Sequence, residues 1–90
     1  MVQYEIRIEG RVQGVGYRYF VQRRAAEFDI IGWVMNQPDG SVLVMAQGNL
    51  QDMEPFIDHL KVGPSAARVT RFIKSEMPSL ENFTGFQVRY

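Results

Sequence analysis

Apolar and polar residues alternate at the start of the chain, and the period then changes. Residues 2–9 place an apolar side chain at every second position, which predicts a half-buried β-strand. Three glycines within residues 10–16 indicate a loop. From Tyr17 or Arg18 to about Phe28 the apolar residues fall at helical spacing. The chain therefore begins with a strand, a glycine-rich loop and a helix.

The same periods continue to the end of the chain. Pro38 presets φ and Gly40 supplies positive φ, so that residues 38–40 predict a tight turn between two strands. The remaining predicted elements are a strand at 31–37, a strand at 41–47, a helix that follows Asn49 and that Gly63 and Pro64 end, a strand at 69–76 and a short strand over Phe86, Val88 and Tyr90.

The order of these elements is β-α-β-β-α-β with a short extra C-terminal strand. This order predicts an α+β fold, a ferredoxin-like α/β sandwich in which an antiparallel sheet carries two helices on one face. Ninety residues allow one domain, residues 1–90. Strands joined by a helical crossover run parallel. We therefore expect the loop, residues 10–18, and Asn36 at the end of the second strand to be neighbours.

Composition excludes several kinds of chemistry. The chain has no cysteine, which excludes disulfides, thiolate metal sites and thiol nucleophiles. His59 is the single histidine, which excludes a multi-histidine zinc site, and its place beside Asp58 favours the surface. No apolar run approaches the roughly 18 residues of a membrane span, and the N-terminus has no signal-peptide pattern. We expect a cytoplasmic protein that needs no membrane.

The charges sum to zero but are unevenly distributed. Residues 1–24 carry five arginines against two glutamates, and residues 25–60 carry six acidic residues and no lysine or arginine. A zero net charge argues against general nucleic-acid binding, which depends on neutralising phosphates. The basic first block could attract a small anion. A mixed, solvated surface is the other interpretation.

The glycine-rich loop and Arg18 are the strongest candidate site. A loop that enters a helix N-terminus offers free amides and the positive end of the helix dipole to an anion. A guanidinium fork matches phosphate oxygens. Gly10, Gly14 and Gly16 do not fit the dinucleotide-binding pattern, and no Gly-Lys-Ser/Thr ending is present. A tight turn beside an exposed arginine remains the alternative.

Asn36 is the second candidate. It is either a turn-favouring asparagine or a donor and acceptor that fixes a water molecule. The sequence shows no metal ligand set, no covalent nucleophile and no obvious general base near the loop. An enzyme with this inventory could only position an anion and a water, which suffices for an activated substrate such as a mixed anhydride of phosphate.

Two long segments carry a resemblance to a known family. Residues 10–18, Gly-Arg-Val-Gln-Gly-Val-Gly-Tyr-Arg, resemble the first signature of the acylphosphatases, and residues 32–42 resemble their second. Gly63-Pro64 with Ala66, Ala67 and Val69 is similar to the segment after the second helix. The resemblance covers the whole chain. It implies a ferredoxin-like fold and metal-independent hydrolysis of acyl phosphates to a carboxylate and inorganic phosphate, without a cofactor.

The resemblance also implies a role for particular residues. Arg18 would grip the phosphate oxygens and Asn36 would orient the attacking water. The residues whose backbone amides would cradle the phosphate are Gln13, Gly14, Val15, Gly16 and Tyr17. We further expect a monomer with a small acyl phosphate as substrate and inorganic phosphate as product inhibitor. Three positions depart from common family patterns and bear on substrate preference: Met35, Leu43 and Gln47.

Two alternatives belong to the class of binding modules. Residues 16–21 are faintly similar to the aromatic motif of RNA-recognition domains, but that motif belongs on a strand and this segment opens a predicted helix. Salt-dependent binding to an RNA oligomer would distinguish that module. A catalytically inactive anion sensor would bind phosphate without turnover.

Overall fold

Five strands and two helices follow one another in the predicted order. The computed structural model describes residues 1–90. Its elements are β1 Val2–Arg11, α1 Tyr17–Glu27, β2 Ile31–Asn36, β3 Val42–Gly48, α2 Leu50–Val62, β4 Arg68–Glu76 and β5 Phe86–Arg89. Each boundary lies within two residues of the one predicted from the sequence. The ferredoxin-like α+β fold is confirmed.

The sheet is mixed: β1 to β4 pair antiparallel, as predicted, and the extra strand β5 adds one parallel pairing. The strand order is β4-β1-β3-β2-β5, and β1–β3, β1–β4 and β2–β3 pair antiparallel. β5 pairs parallel with β2. The physical reason is the connection: residues 77–85 carry the chain from β4 at one edge of the sheet to the opposite edge, where β5 enters in the direction of β2.

The core lies between the two helices and one face of the sheet. In β1 the side chains of Ile6 and Ile8 are fully buried, as the period of two predicts. α1 and α2 cover this face, and α1 contacts both β2 and β5. The helix residues that bury their side chains here are Tyr17, Val21, Ala25, Met53, Phe56, Ile57 and Leu60. Neither helix is long and apolar enough to cross a membrane.

Hydrogen bonds fasten residues 77–85 to the first strand. Gln3 and Gln47 are buried opposite one another on β1 and β3. The side chain of Gln3 donates to a carboxylate oxygen of Glu81 at 3.0 Å and accepts the backbone N–H of Glu81 at 2.8 Å. Gln47 donates to the carbonyl of Glu81 at 2.7 Å. Buried amides need such partners, so this cluster sets the path by which the chain reaches β5.

Candidate active site at the β1–α1 loop

The loop between β1 and α1 is shaped by two glycines in the left-handed region. Gly14 has φ 73° and Gly16 has φ 77°, and Gly16 is the N-cap of α1. A Cβ at either position would meet open space, so the backbone angle rather than crowding requires glycine there. Val12 is buried and Val15 packs against the core. The loop is thus anchored on its inner side, while Gly14 and Gly16 are exposed.

The amides of the loop and the first helical turn are unpaired within the protein. Residues 13–16 donate no backbone hydrogen bond, and no side chain accepts one from them. The first turn of α1, residues 17–19, has no intrahelical acceptor, as at any helix N-terminus. No acidic side chain occupies that turn. A row of free N–H donors therefore coincides with the positive end of the helix dipole.

The side chain of Gln13 connects this loop to the β2–β3 turn. Its Nε2 donates to the carbonyl oxygens of Gln37 and Ser41, each at 2.8 Å. Ser41 is in turn held by Asp39, whose carboxylate accepts both the hydroxyl and the backbone N–H of Ser41. These hydrogen bonds, with Arg7 adding a smaller effect, lower the pKa of the Asp39 carboxyl. The loop is therefore fixed relative to the end of β2.

Arg18 is held by β5 and has no carboxylate partner. Its Nη1 donates to the carbonyl of Arg89 at 3.3 Å, and its guanidinium carbon lies 4.6 Å from the centre of the Tyr90 ring. All three ion pairs of the structure involve Arg7 or Arg24 instead. The remaining guanidinium donors of Arg18 are free for an anion.

Asn36 presents an unsatisfied acceptor at the last position of β2. Its Oδ1 is buried and accepts no hydrogen bond from the protein. A buried amide oxygen without a partner costs free energy, on the order of 1–3 kcal/mol, so such a group is uncommon in a folded protein. An O–H donor placed beside it, such as that of a water molecule, would satisfy it.

One cleft of about 590 Å³ brings most of the predicted residues together. β1 and β2 run in the same direction, because each is antiparallel to β3. Both strands therefore end at the same edge of the sheet, which places the loop after β1 near Asn36 at the end of β2, as predicted. The predicted residues that line the cleft are Gly14, Gly16, Tyr17, Arg18 and Asn36. Gln13 and Val15 do not line it, so their predicted part in phosphate binding rests on their backbone amides alone.

The side chain of Tyr17 packs between the helices. Only 1% of it is exposed, and its hydroxyl donates to the carbonyl of Leu60, near the end of α2, at 2.6 Å. Burial raises the pKa of the Tyr17 phenol far above its ordinary value. The phenol is therefore neutral, and it orients α1 against α2.

The sequence analysis missed half of the cleft. Its other wall is formed by Tyr19 and Gln22 of α1 and by Phe86, Gln87, Val88 and Tyr90. The alternation of Phe86, Val88 and Tyr90 indicated a strand face. Nothing local indicated that this strand would pair with β2, and the contact between Arg18 and Tyr90 could not be foreseen.

Two further expectations can be compared with the structure. His59 is partly exposed, and its ring lies 5.3 Å from that of Phe28. No three His, Cys, Asp or Glu side chains lie close enough to hold a metal ion. Residues 16–21, which are faintly similar to an RNA-binding motif, open α1 rather than lie on a strand, and Val21 is fully buried. That segment cannot stack on bases from a sheet face.

Fold and cleft together define a small α+β protein of ferredoxin-like type, with an arginine and an asparagine facing a loop of free amides. The chain belongs to the acylphosphatase family, whose model, described as Acylphosphatase, matches residues 4–88. This assignment confirms the resemblance carried by the two signatures, and it places the protein among the hydrolases of acyl phosphates.

Individual relatives support the assignment over the full length. The acylphosphatase of Archaeoglobus fulgidus is 41% identical over 90 residues, which cover 100% of both chains. The crystal structure of acylphosphatase from Bacillus subtilis has a TM-score of 0.97 and 41% identity, and 100% of each chain is covered. The acylphosphatase structure from Coxiella burnetii has a TM-score of 0.92 and 31% identity, covering 98% of this chain and 92% of that one.

Proposed function

We propose that the cleft at the β1–α1 loop hydrolyses acyl phosphates, with Arg18 and Asn36 as its catalytic residues. One observation carries the proposal: the free guanidinium donors of Arg18 and the orphaned Oδ1 of Asn36 line the same cleft. The first suits the phosphoryl oxygens and the second suits a water beside them. A phosphoryl group that is attacked by water would supply acceptors for the donors of Arg18 and an O–H donor for the Oδ1 of Asn36.

The phosphoryl group is bound by donors already in place. The amides of residues 13–17 surround its peripheral oxygens, and Arg18 contributes the fork of its guanidinium. Charge on those oxygens in the transition state is stabilised by donors that need no reorganisation. The carbonyl of Arg89 and the ring of Tyr90 hold the guanidinium in position.

Asn36 positions the nucleophile. Its Oδ1 accepts one O–H of the water, which directs an oxygen lone pair at phosphorus and removes much of the entropic cost of attack. A bond forms between the water oxygen and phosphorus, while the bond from phosphorus to the acyl oxygen breaks. The carboxylate leaves as an anion. The water proton passes to a phosphate oxygen, since no carboxylate or imidazole side chain lines the cleft to accept it.

The same site would bind both the acyl phosphate substrate and the product, inorganic phosphate. Inorganic phosphate makes the contacts of the transferred group and so competes with substrate as a product inhibitor. The mechanism assigns no step to a metal or cofactor. We propose a cytoplasmic monomer that acts without nucleic acid or membrane. The zero net charge argues against a nucleic-acid partner, and neither helix is long and apolar enough to cross a membrane.

Hydrolysis of benzoyl phosphate in the presence of a chelator tests the proposal. We expect rapid turnover by the wild type and near-complete loss in Arg18→Ala and Asn36→Ala. Phosphate binding should weaken in Arg18→Ala and persist in Asn36→Ala, because the water contact matters mainly in the transition state. Matched controls are Arg71→Ala and Asn49→Ala, two exposed residues outside the cleft, which should retain activity.

Three results would contradict the proposal in different ways. No turnover by folded wild type would leave only an anion-binding module. Loss of phosphate binding with an unchanged rate in Asn36→Ala would refute the water-positioning role. Inhibition by the chelator would reveal a metal that the mechanism does not include.

A further inference from the structure

The catalytic cleft does not end at Arg18. A second groove of about 530 Å³ adjoins it along the seam between α1 and β5. Gln22 and Phe86 line both cavities, so the two are adjacent at these residues. Gln22 lies four residues after Arg18 and hence on the same face of α1. A substrate whose phosphoryl group is bound at Arg18 can therefore extend its other end past Gln22.

The wall beyond Arg18 is neutral. Arg18 carries the only charged side chain among the twelve residues that line the catalytic cleft. Phe86 is fixed there by an edge-on contact with the buried ring of Phe56, at 6.5 Å between ring centres. Gln22 adds an amide that can donate or accept but has no charge. The next charged side chains along the seam are those of Arg23 and Asp29, in the second groove.

A second anionic group on the substrate would be poorly placed in this stretch. The guanidinium of Arg18 and the loop amides are already engaged by the phosphoryl group. A carboxylate near Gln22 would lose hydration without gaining a cation, and the phosphoryl charge would repel it. A neutral aryl or alkyl group would instead contact the apolar surface of Phe86.

We propose that the acyl group lies between α1 and β5, beside Gln22 and Phe86, and that Gln22 is a specificity-determining residue, selecting neutral acyl groups over those that carry a second anion. The inference rests on the proposed function, because it assigns the leaving part of the same substrate. It names a preference that neither Arg18 nor Asn36 can provide, since both face the phosphoryl end.

A matched pair of rigid substrates tests the preference: 4-methylbenzoyl phosphate and 4-carboxybenzoyl phosphate, which differ at one distant substituent. In the wild type we expect kcat/KM to be about tenfold or more higher for the methyl compound. Gln22→Lys should raise kcat/KM for the carboxylate compound, chiefly through a lower KM, and bring the ratio near one. Gln22→Glu should widen the ratio. Gln51→Lys, on exposed α2 surface, makes the same charge change and should leave the ratio unaltered.

Unreactive analogues separate this inference from the proposed function. Binding of benzylphosphonate and 4-carboxybenzylphosphonate is measured by thermal shift for the same variants. If neither acyl phosphate is hydrolysed, the proposed function fails. The groove assignment still stands if the neutral phosphonate binds more tightly than the carboxylated one and if Gln22→Lys reverses that order of affinity. Equal kcat/KM and equal binding for both members of each pair overturn the groove assignment, as does a ratio that Gln22→Lys leaves unchanged.

Discussion

Gln13 and Ser41 are joined by a hydrogen bond of 2.8 Å, which the side-chain amide of Gln13 donates to the backbone carbonyl of Ser41, immediately before β3. The same Nε2 also donates to Gln37. The side chain of Gln13 therefore links the loop amides to the β2–β3 turn that follows Asn36, the two parts of the proposed catalytic cleft. Gln13 itself does not line the cleft.

Replacing Gln13 with leucine should impair catalysis, although the side chain of Gln13 does not line the cleft. The substitution removes two hydrogen bonds and leaves two carbonyls without this partner, which should cost about 1–2 kcal/mol of unfolding free energy. We expect kcat/KM for benzoyl phosphate to fall about tenfold, because misplacement of the loop weakens phosphate contacts. Urea unfolding and steady-state kinetics measure both effects. Unchanged kinetics in a destabilised variant would confine Gln13 to a structural role.

Replacing Arg18 with lysine tests geometry separately from charge. The ammonium keeps the positive charge but lacks the planar fork, and it cannot reproduce both the Arg89 carbonyl contact and the stacking on Tyr90. We expect kcat to fall by about 100-fold or more. Phosphate binding should be weakened less than in Arg18→Ala. A lysine variant with nearly wild-type kcat would show that charge alone suffices.

Inorganic phosphate should stabilise the folded protein. A ligand that binds only the native state at 100 times its Kd adds about 2.7 kcal/mol. For a chain of this size that corresponds to a rise in Tm of about 10–20 °C. Calorimetry with phosphate, using sulfate-free buffer and matched ionic strength, measures the shift. The rise should vanish in Arg18→Ala and be unaffected by a chelator, and an unchanged wild-type Tm would argue against the anion site.

Stability should decline at alkaline pH because of Tyr17. Burial raises the pKa of its phenol, whereas the unfolded chain releases the proton near its ordinary value of 10.0. The folded state therefore holds more protons above pH 10, and the unfolding free energy falls as pH rises there. Tyr17→Phe should remove this dependence while costing about 1 kcal/mol at pH 7 through the lost contact with Leu60. The exposed Tyr19→Phe serves as control in alkaline denaturant titrations.

The sequence predicted the features of the fold and of the candidate site that depend on local periodicity and on strand direction. The alternation in β1 set its buried face, and the crossover through α1 predicted that Arg18 and Asn36 would meet. The partner of β5 was not predictable, because a strand of four residues carries no information about which edge it joins. The path to that edge depends on hydrogen bonds between the buried Gln3 and Gln47 and the exposed Glu81, which are far apart in sequence.

The side chains of Gln13 and Tyr17 show a second kind of feature that the sequence could not predict. Both were predicted for their backbone amides, and that part of the prediction is still untested. Their side chains hold the loop to the β2–β3 turn and α1 to α2, through partners 24 or more positions away. A pattern of residue types indicates that a polar group needs a partner when buried, but not which distant group provides it.

The parallel pairing of β5 with β2 also bears on self-association. A free strand edge is a template for pairing with another chain. β4, the outer strand on the other side, is protected by the exposed positive charges of Arg68, Arg71 and Lys74. β2 carries no charged residue along Ile31–Asn36 and depends on β5 to cover its edge. Loss of this short strand would therefore both release Arg18 and create an aggregation-prone surface, coupling solubility to catalytic competence.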